Sequence, residues 1–232
     1  MALDRRSMLR GIAGLGAGLL MGGCGVGARS SGMPSVPWPE VHPRPDVDGG
    51  ALPPRHTLET DGEAGRVLAR SAWTGRQPIG ARVNKMSGVG RITLHHEGGS
   101  DAVEFTDRAR TADRLERIRR YHLGRGWGDI GYHYIVDRAG RVWQGRPVSL
   151  QGAHVRDHNE HNIGVMCLGN FNLQSPSKAQ LAGLERITQH LRRAYRVSVR
   201  RIHTHQELAA TSCPGRLLQP KIAAMRSSGA FA

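Results

Sequence analysis

From about residue 66 the apolar positions recur with two periods, and each period assigns an element. Arg91-Ile-Thr-Leu-His-His96 alternates with period two and predicts a strand. Ile92, Leu94 and His96 then share one face, and Arg91, Thr93 and His95 the other, so the adjacent histidines cannot both reach one point. Residues 111–122 carry Leu115, Ile118 and His122 at i, i+3 and i+7, the stripe of a helix. Residues 132–136 and 141–144 flank the turn sequence Asp137-Arg-Ala-Gly140 and predict a hairpin. The unbroken apolar run 163–168 predicts a central, buried strand. Residues 177–195 predict a long helix with Ser177 as N-cap and Leu181, Leu184, Ile187 and Leu191 on its buried face. Residues 197–202 alternate as a strand that delivers His203 and His205, and a last helix spans 215–225 after Pro214. Strands and helices interleave. The fold class expected is α/β: a central mixed β-sheet flanked by helices, preceded by a disordered N-terminal tether.

The first 65 residues follow another pattern. Arg5-Arg6 precedes an apolar, glycine-rich run, Gly11 to Met21, about 11 residues long. That suits the hydrophobic region of a signal peptide and falls short of the ~20 residues that span a bilayer. The run closes in Leu20-Met-Gly-Gly-Cys24, which resembles a lipobox apart from Met21. Two readings follow: a lipid anchor at Cys24, which we favour, or an ordinary cleaved signal with an incidental cysteine. The paired arginines resemble signals of proteins exported already folded. Pro34, Pro37, Pro39, Pro43, Pro45, Pro53 and Pro54 keep residues 25–65 extended. The expected partition is a signal peptide at 1–24, a tether at 25–65 and one domain at 66–228. The location expected is the cell envelope or periplasm, with the chain anchored to a membrane.

Charge narrows the partners. Lys and Arg number 33 against 19 Asp and Glu, so the formal charge of +14 favours polyanions: nucleic acid, anionic lipid or an acidic cell-wall polymer. The arginines are scattered and form no recognition module, so nucleic acid is not an expected partner. The cysteines are Cys24, Cys167 and Cys213. Cys167 sits in an apolar run and reads as a small buried hydrophobe.

Candidate chemistry lies near the C-terminus. His205 and Cys213 stand eight positions apart across a short connection, a pairing that suits a soft divalent metal such as zinc. A third ligand from the His95-His96 pair would leave one tetrahedral position open, the mark of a catalytic site. With Cys24 acylated and Cys213 on a metal, no disulfide remains.

Several pieces now match a family in order: Ile92-Thr-Leu-His95-His96, Trp127-Gly-Asp-Ile-Gly-Tyr132-His133-Tyr134, Gly152-Ala-His154, Asn162-Ile-Gly-Val165, and His205 through Cys213-Pro-Gly. Residues 68–225 resemble the zinc-dependent N-acetylmuramoyl-L-alanine amidases of the peptidoglycan-recognition protein and phage T7 lysozyme superfamily. The resemblance implies Zn2+ held by His95, His205 and Cys213, with Tyr132 and Thr211 as catalytic residues. It places His154 and Asn162 in the substrate-binding cleft. Phage members carry lysine where Thr211 stands, and recognition proteins with amidase activity carry threonine. Members that only bind peptidoglycan typically lack the cysteine. The reaction implied is hydrolysis of the amide between N-acetylmuramic acid and L-alanine, with peptidoglycan or muropeptides as partner and a monomer as the working unit. The general base is unassigned between Glu97 and Glu207. His96 and His133 read as packing residues. Two alternatives remain: a recognition module that binds without cutting, and a structural zinc site, for which His203 is the available fourth ligand.

Overall fold

The computed structural model describes residues 67–232. The proposed signal peptide, Cys24 and the 25–65 segment lie outside the described residues. Among the described residues six strands form one sheet: β1 (Val67–Leu68), β2 (Arg91–His96), β3 (Tyr134–Val136), β4 (Val142–Gln144), β5 (Asn162–Cys167) and β6 (Ile202–Thr204). Their order across the sheet is β1-β4-β3-β5-β2-β6. Only β3 and β4 pair antiparallel, as the hairpin about the Asp137–Gly140 turn; the other neighbours are parallel. Parallel neighbours need a crossover; helices supply it on the way from β2 to β5 and β6, while β3 reaches β5 through β4 and a loop. Helix α1 (Arg108–Gly124) lies between β2 and β3 in sequence, and α2 (Lys178–Ala194) between β5 and β6. The last helix, α3 (Gln219–Ser227), closes the chain.

The alternation in β2 sorts the core into two layers. Ile92 and Leu94 pack with Leu184, Ile187 and Leu191 of α2 and Ile222 of α3. The opposite face of the sheet holds Met166, Ile135 and Trp143 against Leu115 and Ile118 of α1. His95 belongs to this second face. Strand β5 is buried at all six positions, as its apolar run requires of a strand inside a parallel sheet.

Caps fix the helix starts. Asp107 accepts from the Arg110 N–H and begins α1 at Arg108, three residues before the apolar stripe announces a helix. Ser177 is the N-cap of α2, as the sequence predicts, and Gln180 completes a reciprocal capping box with it.

Two expectations shift. Residues 199–201 turn as a 3-10 helix, and the strand is displaced to Ile202–Thr204. Pairing decides this: Ile202, His203 and Thr204 match Ile92, Thr93 and Leu94, while Val197 is buried by packing without joining the ladder. His205 therefore stands just beyond the strand. The last helix begins at Gln219 instead of 215. Gly215 has φ +95°, outside the helical region, and a Cβ there would sit 2.6 Å from the Phe171 backbone.

Candidate metal centre

Three segments converge at the C-terminal end of β2. The strand itself presents His95, only 1% exposed, on the α1 side of the sheet. A turn at the end of β6 presents His205; the Glu207 carboxylate accepts from the Thr204 N–H at 3.0 Å and closes that turn. The following loop folds back so that the Gln206 N–H donates to the Cys213 carbonyl, bringing the thiol beside the imidazoles. Cys213 Sγ accepts from the His96 N–H at 3.4 Å.

The ligand atoms of His95, His205 and Cys213 all lie within 4.8 Å of one another. Cys213 Sγ stands 3.5 Å from His95 Nδ1. Tetrahedral zinc, with bonds of about 2.3 Å to sulfur and 2.0–2.1 Å to nitrogen, sets those two atoms ~3.6 Å apart. That pair therefore stands at zinc-ligand spacing, and two imidazoles with a thiol make a donor set that suits the ion. His203 is directed elsewhere, 3.9 Å from the Glu207 carboxylate. Among the described residues the cluster has three protein ligands, which leaves a tetrahedral ion one open position.

Burial sets the protonation states. Desolvation, reinforced by the imidazoles of His154, His205, His96 and His133, holds His95 well below the ordinary histidine range. Burial lowers His205 to about 4. Both rings are neutral at pH 7 and offer lone pairs. Burial pushes the Cys213 thiol up to about 12, against the His96 N–H, which favours the thiolate. A metal ion must displace that thiol proton.

The remaining predicted residues surround this cluster at different depths. Tyr132 is 8% exposed, with its ring centroid 5.3 Å from that of His95. Burial raises its hydroxyl above the ordinary tyrosine range, and the charges of Cys213 and Glu97 add to the effect. Thr211 is half-buried, and its hydroxyl oxygen accepts from the Cys213 N–H at 3.2 Å. His154, 4% exposed, has Nδ1 3.0 Å from His95 Nε2 and Nε2 3.1 Å from the Asn162 carbonyl. The Asn162 side chain is engaged inside the fold: Oδ1 accepts from Thr93 Oγ1 and Nδ2 donates to the His158 carbonyl. His96 stacks on Phe171 and accepts from its N–H, and His133 accepts from the Gly164 N–H; both are packing residues, as expected.

The two carboxylates separate. Glu207 is bound by Arg226, Thr204 and Gln219, and the Arg226 hydrogen bond leads in drawing its carboxyl down to about 2. That engagement leaves it no proton-accepting role at the metal. Glu97 is buried and paired with Arg114 of α1; burial raises its carboxyl while Arg114 opposes the rise.

One support is invisible in the sequence. Asp129 is fully buried and receives Arg70 at 2.9 Å and Arg119 at 3.2 Å. Arg146 donates to the Asp129 and Ile130 carbonyls, and its own N–H donates to the Tyr132 carbonyl. This lattice fixes the loop that carries Tyr132. The only local signal is Asp129 between Gly128 and Ile130, since its arginines come from distant segments.

A sheet of this order, with two histidines and a cysteine converging at the end of an inner strand, defines a candidate metal site. The sequence profile of the N-acetylmuramoyl-L-alanine amidase family (Amidase_2) matches residues 85–216, and the chain belongs to that family. It is 28% identical over 151 residues to peptidoglycan-recognition protein SC2 of Drosophila melanogaster, covering 64% of this chain and 80% of that protein. It is 35% identical over 135 residues to an N-acetylmuramoyl-L-alanine amidase of Sus scrofa, covering 56% of this chain and 22% of that longer protein. A tyrosine-to-phenylalanine mutant of Drosophila PGRP-LB, solved in complex with tracheal cytotoxin, superposes with a TM-score of 0.61 at 25% identity. That match covers 73% of this chain and 98% of the other.

Proposed function

We propose that this protein is a zinc-dependent amidase that hydrolyses the bond between N-acetylmuramic acid and L-alanine in peptidoglycan, for wall remodelling or recycling of wall fragments. The observation that carries the proposal is the three-ligand His95–His205–Cys213 cluster, with Tyr132 and Thr211 beside it. A zinc ion held there supplies an acidified water and Lewis-acid polarisation of the scissile carbonyl. The chain's own groups do the rest. Tyr132, kept protonated by burial, donates a hydrogen bond to the oxygen on which charge develops. Thr211 accepts from the Cys213 N–H, so its own proton remains for that same oxygen. The Asp129–Arg146 lattice holds Tyr132 in place before the substrate arrives.

Export completes the proposal. The paired arginines and the Cys24 motif target the chain to the envelope, lipidation at Cys24 holds it there, and residues 25–65 give it reach. A second reading, a recognition module that binds wall fragments without cutting them, is favoured by the relatives named for recognition and by the tracheal cytotoxin complex of PGRP-LB.

Mass spectrometry of muropeptides digested by the zinc-loaded full chain separates the two. The expected product is free stem peptide beginning at L-alanine, absent with Cys213→Ala. Intact muropeptides, together with retention of the protein on sacculi, would establish the recognition reading instead.

A further inference from the structure

His95 has two ring nitrogens, and a metal ligand must present the bare one. The structure contains a device that decides which it is. His154 Nε2 lies 3.1 Å from the Asn162 carbonyl. A carbonyl only accepts, so that nitrogen carries a proton. His154 Nδ1 lies 3.0 Å from His95 Nε2. One proton occupies that contact. With its one proton on Nε2, the His154 ring has a bare Nδ1 that can only accept, and among the described residues its ring nitrogens meet only the Asn162 carbonyl and the His95 ring. The shared proton therefore belongs to His95 Nε2, and His95 Nδ1 is left bare. Nδ1 is the atom that faces Cys213 Sγ at 3.5 Å.

The seat of the His154 ring is built for it. A Cβ on Gly152 would lie 2.3 Å from the ring, and a Cβ on Gly164 2.6 Å from it. Gly164 occupies the middle of β5, on the face shared by Asn162 and Met166, where every other even position carries a large side chain. Its missing side chain leaves a slot that the imidazole fills. Asn159 Oδ1 accepts from the N–H groups of His154 and Val155 and fixes the backbone above the slot. His133 packs edge-on against the ring at 5.7 Å between centroids.

We propose that His154 is a positioning residue for the metal centre: seated between Gly152 and Gly164, it accepts the His95 Nε2 proton and commits His95 Nδ1 to the metal. The inference rests on the metal-binding part of the proposed function and is independent of the substrate. Metal-bound histidines usually give their second N–H to a carboxylate, a carbonyl or water, which orients the ring. Here a second histidine relays that bond to the carbonyl of Asn162.

The test uses the full chain and zinc alone, without substrate. Zinc affinity is measured by chelator competition in wild type, His154→Phe and His154→Asn. Phenylalanine fills the slot and accepts nothing. Asparagine carries an oxygen where Nδ1 stood and still accepts from His95. Loss of an orienting partner of this kind typically costs roughly 10–100-fold in metal affinity, which is the drop expected for His154→Phe, with recovery in His154→Asn. Wild-type affinity in His154→Phe overturns the proposal, as does an equal loss in both variants. Nitrogen-15 NMR of the metal-free wild type tests it without any variant. His95 should carry its proton on Nε2, and a proton on Nδ1 overturns the assignment. Neither readout involves amide hydrolysis, so failure of the amidase reading and failure of this one are distinguishable.

Discussion

At the residue scale, the site separates into groups that are ready for a metal and one that is not. His95 and His205 are already neutral in the fold, because burial holds both below the ordinary histidine range. Cys213 is still a thiol, held up to about 12 by burial. Zinc binding should therefore release about one proton, from Cys213, at any pH between about 6 and 8. Calorimetry in buffers of different ionisation enthalpy measures this number. A release that climbs towards two as the pH falls to 6 would mean that an imidazole is charged in the free protein. Tyr132→Phe addresses a different link. The proposed ligand set is His95, His205 and Cys213, so zinc affinity should be unchanged. If the hydroxyl steadies developing charge, kcat should drop by roughly 10²–10³, the usual cost of one such donor. An unchanged kcat would remove Tyr132 from the chemistry.

At the element scale, the turn that bears His205 is held by Glu207, which ties Thr204 and Arg226 of α3 together. The carboxyl sits at about 2 in the fold, against ~4.3 in an unfolded chain. Its contribution to stability is fully present above about pH 4.3 and is lost as pH falls through about 2. Glu207→Gln should cost about 1 kcal/mol at neutral pH, allowing for the group's partial exposure. Urea titrations should show the gap from wild type closing in acid, and a gap independent of pH would sink the assignment. The strand β2, the hairpin, β5 and α2 were all legible in the sequence, because each carries a clean period or an unbroken apolar run within its own residues. The strand β6 was displaced, because its register is set by β2, more than a hundred residues away. The same division runs through the site. His95, His205, Cys213 and Tyr132 were identified through motifs and meet in space. The arginines around Asp129 and the glycine slot for His154 were not legible, since each joins segments that no local pattern connects.

At the scale of the whole molecule, the net charge of +14 acts over a longer range than the site does. The helices α1 and α2 carry arginines on their exposed positions, among them Arg117, Arg120, Arg186 and Arg193. Wall polymers bear free carboxylates, so the proposed substrate and the protein surface attract each other before any specific contact forms. That attraction is screened on the scale of the Debye length, about 10 Å at 0.1 M salt and 3 Å at 1 M. The buried cluster at His95 is shielded from bulk ions by the fold and should feel little of this change. Two assays therefore ought to diverge as salt rises. Retention of the full chain on sacculi should weaken steadily. Turnover of a small, soluble muropeptide at saturating concentration should change little. Parallel loss of both would mean that salt acts on the site or on the fold. Retention insensitive to salt would mean that the basic surface does not bring this protein to the wall, and that binding rests on the cleft alone.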